Sequence, residues 1–343
     1  MAKFIISESK VLEQYNSLKD IADIISYSSK TNPHISTILE KNTDCKFSIH
    51  FNQELKHIQD KSRVLFLAQA WTLEDVKNLI KQNVKSFVVD NEQDLDILLR
   101  FLESYDGKID LMLRLKLQEN TIRTEKYFVF GMNSDVINKR IIEISKLKDK
   151  IKSLGIHVHK KTQNMSEWYY QKEFESILNK DVLEAIDCID IGGGLPSYYA
   201  NTNIDVIPSI FSKIKELKQW LNDMNIELIV EPGRYIAAPS AKLMTKILCI
   251  HDNNIIVDAS VYNSDMDALI VPVKLMVEDE LDRTKGQPYV IKGITPCSMD
   301  LFRYRVYLDE PKVGDTIVFL NAGAYNFSTD FCDLPKIEVE IVK

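Results

Sequence analysis

The chain opens on a short apolar stretch, Phe4-Ile5-Ile6, and a helical stretch around Val11–Lys19. From there to about Ala238, short apolar runs alternate with longer amphipathic ones. Ile24–Ser28, Val64–Leu67, Ser86–Val89, Asp110–Leu115, Gly155–Val158, Cys188–Ile191 and Glu227–Val230 read as strands, with a weaker one near Lys46–His50. Between them, Thr72–Gln82, Glu92–Leu102, Ser134–Leu154 and Val206–Asn222 carry apolar residues at helical spacing. Strands alternating with helices imply βαβ units and a parallel sheet. About eight such units fit a TIM-like (β/α)8 barrel, which needs roughly 250 residues. Rhythm alone leaves an open doubly wound sheet as the rival.

After Ala238 the rhythm changes. Leu243–His251, Asn254–Val257, Leu269–Val277, Gln287–Lys292, Tyr304–Leu308, Thr316–Leu320 and Lys336–Val342 read as strands with no helices between them. The expected division is a barrel over 21–238 and a β-domain over 239–343. Residues 1–20 form an N-terminal segment that can join the β-domain. No repeat, low-complexity run or Gly/Ser-rich linker is visible.

Composition narrows the function classes. With 343 residues and 45% hydrophobic positions, a packed core of this size is within reach. The net charge of −7 argues against a nucleic-acid partner, which would call for a basic stripe. No run approaches the roughly 18 apolar residues of a membrane span. No apolar leader stands at Met1–Lys10. Cys45, Cys188, Cys249, Cys297 and Cys332 are scattered and lack metal-ligand spacing. Free thiols in a reducing cytoplasm are the simplest expectation.

In a barrel, active groups stand at the C-terminal ends of the strands. Here those ends read Ser28-Ser29-Lys30-Thr31-Asn32-Pro33, then His157-Val158-His159-Lys160-Lys161-Thr162, then Gly192-Gly193-Gly194-Leu195-Pro196, then Glu231-Pro232-Gly233-Arg234. Each has an ordinary reading. A lone lysine is usually solvated, and a Glu-Pro-Gly-Arg run is a turn with two charges. His157 and His159 share one face of their strand. They could hold a metal, but no third ligand stands nearby, so no metal is expected. A glycine triplet after an apolar strand suits a phosphate.

Taken together, the order and spacing of these segments resemble the fold-type III pyridoxal-phosphate decarboxylases, the family of ornithine and diaminopimelate decarboxylase, over nearly the whole chain. Lys30-Thr31-Asn32-Pro33 is similar to the family's K-x-N-P. Asp90–Leu95 resembles D-S-x-x-E-L, with Asp94 for the glutamate. Phe130-Gly131-Met132 resembles F-G-M. His157-Val158-His159 matches H-x-H, the glycine run with Pro196 matches G-G-G-x-P, Glu231–Arg234 is E-P-G-R, and Gly323-Ala324-Tyr325 is G-A-Y.

The resemblance implies an alanine-racemase-like barrel followed by a β-domain, pyridoxal 5'-phosphate as cofactor, a small amino-acid substrate, and a homodimer with shared active sites. It implies that Lys30 bonds the cofactor and that Glu231 pairs with its pyridine nitrogen, making the ring an electron sink. It has His159 stack on the ring. Gly192, Gly193, Gly194, Gly233, Arg234, Tyr325 and the Thr162 hydroxyl would surround the phosphate, and Asp90 belongs to the same cofactor-binding set. Cys297 would enter the partner's site as a catalytic group. A decarboxylase-like regulator without activity is the rival from another class. The presence of Lys30, His159, Glu231, Arg234 and Tyr325 speaks against it, and Glu231 speaks against a racemase.

Two departures bear on the substrate. Relatives carry G-P-x-C-[DE]-x-x-D, where this chain has Gly293-Ile294-Thr295-Pro296-Cys297-Ser298-Met299-Asp300. Cys297 or Ser298 therefore stands where an acid would grip a distal ammonium. At the second acidic position of ornithine decarboxylases stands Val271. A buried ammonium without a carboxylate is costly, so a substrate whose distal amine is acylated is expected. The siderophore branch of the family acts on such compounds, for example a diamino acid joined to citrate. Lys160, Lys161, Lys274 or Arg303 would meet the added carboxylates, and Cys297, Ser298 and Asp300 would contact substrate. Free ornithine, lysine, arginine or diaminopimelate remain alternatives.

Overall fold

A computed structural model describes residues 1–117, 129–202 and 205–343. It divides into two compact units, one of Asn16–Pro196 with Asp205–Gly233, the other of Met1–Tyr15, Ser197–Ile204 and Arg234–Lys343.

We number the strands in chain order: β1 (Lys3–Ser7), β2 (Ile24–Ser28), β3 (Lys46–Ile49), β4 (Val64–Ala68), β5 (Ser86–Val89), β6 (Ile109–Arg114), β7 (Ile151–His157), β8 (Cys188–Asp190), β9 (Glu227–Val230), β10 (Ala241–His251), β11 (Asn254–Val257), β12 (Met276–Val277), β13 (Gln287–Lys292), β14 (Leu301–Leu308), β15 (Thr316–Leu320) and β16 (Glu338–Val342). In the first unit β2 to β9 form a closed parallel barrel. Closure comes from β2 pairing with β9 (Ile24 opposite Ile229, Ile25 opposite Val230), which rules out the open sheet. Inside, Leu65, Val88, Met112, Cys188 and Ile229 pack as one apolar layer.

Helix starts follow local chemistry. Asn32 caps Pro33–Asn42 by accepting from the His34 N–H, with proline at the first helical position, where a missing N–H costs nothing. Thr72 and Asp75 form a reciprocal capping box. One expectation fails here. The amphipathic stretch 134–154 is helical only over Ser134–Ile144, and Ile151 already pairs with Ile109 in the barrel. Its apolar positions suit either period, and pairing with β6 as the sixth barrel strand decides.

In the second unit the sheet runs β12-β15-β10-β11-β13-β14, and β1 pairs with β10 and β16. Expected as a strand, 269–277 instead holds a helical turn at Asp267–Ile270 and only the short β12. Pro272 has no N–H to give to a ladder. Among the described residues no helix is long and apolar enough to cross a membrane.

Candidate active site

The C-terminal ends of the barrel strands gather most of the chemistry. Lys30 follows β2 on a tight turn, Ser29–Thr31. The turn is fixed by a Ser29–Ser36 hydroxyl contact of 2.9 Å and by the Tyr27 hydroxyl, which donates to the Asn32 carbonyl at 3.0 Å. A Cβ at Gly233 would lie 2.1 Å from the Thr31 hydroxyl. Glycine there lets the end of β9 close against the lysine turn.

Lys30 is solvent-accessible, yet the protein atoms around it desolvate its amine. That desolvation lowers its pKa, opposed by the charges of Glu231 and Glu54 and reinforced by Arg114. A reachable amine whose charged form is disfavoured by desolvation is suited to bonding a carbonyl.

Glu231 is buried. Its Oε1 accepts from the Ser48 hydroxyl at 2.5 Å and its Oε2 meets His157 Nε2 at 3.2 Å. Burial alone would favour the neutral acid. The hydrogen bonds from His157 and Ser48, with the His157 and His50 imidazoles beside it, outweigh that cost and bring the pKa to about 2. The group stays ionised in dry surroundings. His159 is driven the other way, to about 3, chiefly by desolvation and then by His157 and Arg114, so its ring is neutral. A neutral imidazole is the form that stacks on an aromatic ring without adding charge.

Asp90 accepts from Arg114 and from the Gly131 N–H, each at 3.1 Å. It orients the guanidinium, which lies over the Phe130 ring at 4.9 Å. Asp94 accepts from the Ala70 N–H at 2.7 Å and from Asn91 at 2.6 Å, a structural duty. In the glycine run, Gly192 and Gly194 have φ of +67° and +107°, and added Cβ atoms would strike the carbonyls of Val158 and Lys161. The Gly192 N–H is taken by Asp190 Oδ1 at 2.7 Å, so that amide does not face outward as the phosphate reading required.

Lys160 and Lys161 are placed differently from the expected substrate contacts. Lys160 is buried, ion-paired with Glu173 and 4.5 Å from the Tyr170 ring centre. Lys161 pairs with Glu167. Thr162 is exposed.

In the second unit Arg234 is buried and paired with Asp267 through both terminal nitrogens, and donates to the Tyr199 hydroxyl at 2.8 Å. Its guanidinium lies 5.0 Å from the Tyr325 ring centre. Asp265 is buried with neither oxygen partnered, and desolvation and Asp267 raise its pKa well above the usual range. Asp300 is not a free substrate contact. Its Oδ1 accepts from the Val261 N–H at 2.8 Å, and its Oδ2 from the Thr295 N–H and hydroxyl at 3.0 and 2.6 Å. Arg303 is spent on the Leu275 carbonyl and Glu280. Cys297 shares a 3.0 Å hydrogen bond with the Tyr262 hydroxyl, which lowers its thiol pKa. Ser298 and Lys274 are exposed.

The barrel thus brings Lys30, Asp90, His159 and Glu231 to one rim. The groups the sequence reading missed are Ser48, His50, Arg114, His157 as a partner of Glu231, and Asp190. Ser48 and His50 sit at the end of the weakest predicted strand, whose end was not read for chemistry. Asp190 precedes the glycine run, and its place in β8 was the available signal.

A reachable desolvated amine, a carboxylate held ionised, a neutral imidazole and a glycine turn fit a lysine-bonded pyridine cofactor. Known proteins agree. Diaminopimelate decarboxylase of Aquifex aeolicus (strain VF5) is 25% identical over 295 residues, 78% of this chain and 66% of that protein. The 2-[(L-alanin-3-ylcarbamoyl)methyl]-2-hydroxybutanedioate decarboxylase of Staphylococcus aureus (strain NCTC 8325 / PS 47) is 23% identical over 79% of this chain and 74% of its own length. Vibrio vulnificus lysine/ornithine decarboxylase complexed with putrescine shares the fold, with a TM-score of 0.83 at 19% identity, covering 100% of this chain and 94% of that one. Residues 8–238 match the pyridoxal-binding domain of pyridoxal-dependent decarboxylases, and the chain belongs to that family.

Proposed function

We propose that this protein removes the α-carboxylate of a diamino acid whose distal amine is tied up in an amide. The bound cofactor would supply an electron sink for the electrons left behind by carbon dioxide. Lys30 would hold it, Glu231 would keep its ring nitrogen protonated, and His159 would cover its face. In the first unit, Gly193, Gly194, Gly233 and Thr162 are the groups proposed around its phosphate. By the same resemblance Cys297 would act across a homodimer, with Ser298 beside it at the substrate's far end.

The observation that carries the substrate reading is the fate of the acids in the second unit. The two positions that would grip a distal ammonium hold Val271 and Cys297 or Ser298. None of the aspartates nearby is a ready replacement: Asp267 is bound to Arg234, Asp300 to its own loop, and Asp265 is buried and favours its neutral form. The Staphylococcus aureus relative supports the reading, since its named substrate joins an amino acid through an amide to a hydroxy-polycarboxylate. The added carboxylates would need cations other than Lys160, Lys161 and Arg303, whose charges are already paired. Exposed Lys274 is the remaining candidate of that set.

The test compares kcat/KM for ornithine and citryl-ornithine on one preparation. Two lost charge-assisted hydrogen bonds, each worth about 1.5–3 kcal/mol, should put the amide ahead by roughly a hundredfold or more. Equal or better use of ornithine would overturn the reading.

A further inference from the structure

Three neighbouring barrel strands bring His157, Asp190 and Glu231 together. His157 and Asp190 are register partners on β7 and β8. Asp190 is in turn opposite Ile229 on β9, two residues before Glu231. Alternation then puts all three side chains on the barrel's interior face. All three are buried, and one ligand-type atom from each lies within 4.8 Å of the others.

The hydrogen bonding of this set is incomplete in a complementary way. His157 uses Nε2 on Glu231 and leaves Nδ1 buried without a partner. Asp190 uses Oδ1 on the Gly192 N–H and leaves Oδ2 buried without a partner. Buried polar atoms are rarely left so. If Asp190 is the neutral acid, Oδ2 carries a hydrogen and needs an acceptor. If His157 donates from Nε2 to ionised Glu231, its Nδ1 is a bare lone pair and needs a donor. The two orphans match in kind, an acid hydrogen and a bare lone pair, and with no hydrogen bond between them as they stand, the side chains must turn toward each other to make one.

We propose that Asp190 and His157 are positioning residues that form a proton relay behind Glu231, holding in reserve the proton that Glu231 passes to the ring nitrogen it faces. The Asp190 Oδ2 proton moves to His157 Nδ1 while the His157 Nε2 proton moves to Glu231 Oε2. Asp190 becomes a carboxylate, His157 changes tautomer and stays neutral, and Glu231 becomes the acid. The set carries one negative charge before and after, so no net charge is moved into the dry interior. Once Glu231 had given up that proton, both carboxylates would be ionised, and a protonated ring nitrogen would balance one of them.

The protonation states agree with this start. Burial and the nearby Glu231 charge raise the Asp190 pKa well above the usual carboxylate range, and burial lowers that of His157. The other charged or titratable groups acting on the set are Lys46, His50, Asp90, Arg114, His159 and Lys30.

The inference rests on Glu231 facing the ring nitrogen. The experiment adds pyridoxal phosphate to cofactor-free protein in weakly buffered solution near neutral pH and counts protons taken from solvent per site. Absorbance follows loading. Asp190→Asn should take up about one more proton per site than the unaltered protein, because the reserve is gone. His157→Gln should do the same with Asp190 in place, and it carries the test if the asparagine variant fails to fold. Asp190→Glu should return the count toward the original. Equal counts for loaded Asp190→Asn or His157→Gln and the unaltered protein overturn the relay. Glu231→Gln separates the two ideas. If it too leaves the count and the absorbance unchanged, the assignment of Glu231 is at fault. If it alone changes them, only the relay fails.

Discussion

The barrel and the β-rich unit treat their charged groups in opposite ways. In the barrel, Lys30 is reachable and desolvated, Glu231 is held ionised inside a dry wall, and buried polar atoms of Thr31, His157 and Asp190 lack partners. Such incompleteness costs stability and is retained where a ligand or a reaction completes it. In the β-rich unit the charges are mostly settled. Arg234 closes on Asp267, Arg303 on Glu280, and Asp300 on its own loop. Asp265 is the exception, without a partner and with its charged form disfavoured by burial and by Asp267. The contrast separates a barrel rim left chemically open from a β-rich unit whose charges already have partners.

The largest expected effect tests the barrel side of this contrast. Glu231→Gln keeps shape but removes the charge. Turnover should fall by about a hundredfold or more, since a preorganised charge of this kind is worth several kcal/mol. Cofactor content, read from absorbance after dialysis, should change little. Normal turnover would remove Glu231 from the role assigned to it.

How much of this was legible beforehand differs between the units for the same reason. The barrel strands are largely apolar runs, and several end where a reactive residue stands, so Lys30, His159, the glycine run and Glu231 could be read from order and spacing. Partnerships across strands could not. That His157 serves Glu231, that Ser48 supports it from β3, and that Gly192 spends its N–H on Asp190 depend on register, which the sequence does not display. Lys160 shows the limit most clearly. A lysine next to a site histidine reads as a solvated or substrate-facing charge, yet Glu173, thirteen residues on, takes it into a part-buried pair. In the β-rich unit, Asp267–Ile270 forms a helical turn where a strand was expected, because short apolar runs do not separate the two and Pro272 breaks the ladder.

The next effect probes the changed end. Ser298→Asp or Val271→Asp returns a carboxylate to a position where ornithine-using relatives carry one. One charge-assisted hydrogen bond regained should raise kcat/KM for free ornithine by roughly tenfold or more. The same change should lower use of a carboxylate-bearing amide through like-charge repulsion. If both substrates respond in the same direction, the replaced acids do not set the preference.

The smallest effect sharpens the contrast within the barrel itself, where two neighbouring carboxylates should respond to pH with opposite sign. Glu231 has a folded-state pKa near 2, below the ordinary 4.5. Its contribution to stability is therefore present above pH 4.5 and is lost as pH falls toward 2. Asp190 is raised above the ordinary 3.8. The folded state holds its proton more tightly than the unfolded chain does, so stability falls as pH rises from about 3.8 until the folded-state group also ionises. Asp190→Asn removes that loss. In cofactor-free protein, urea midpoints at pH 5 and pH 8 should show the asparagine variant gaining on the unaltered chain as pH rises, by on the order of 1 kcal/mol or more. Glu231→Gln removes one of the charges that hold the Asp190 proton, so it should gain less over this range than Asp190→Asn, and its own titration lies below it. An Asp190→Asn curve parallel to that of the unaltered protein between those pH values would mean that Asp190 is already ionised when folded, leaving His157 Nδ1 without the donor that the relay requires.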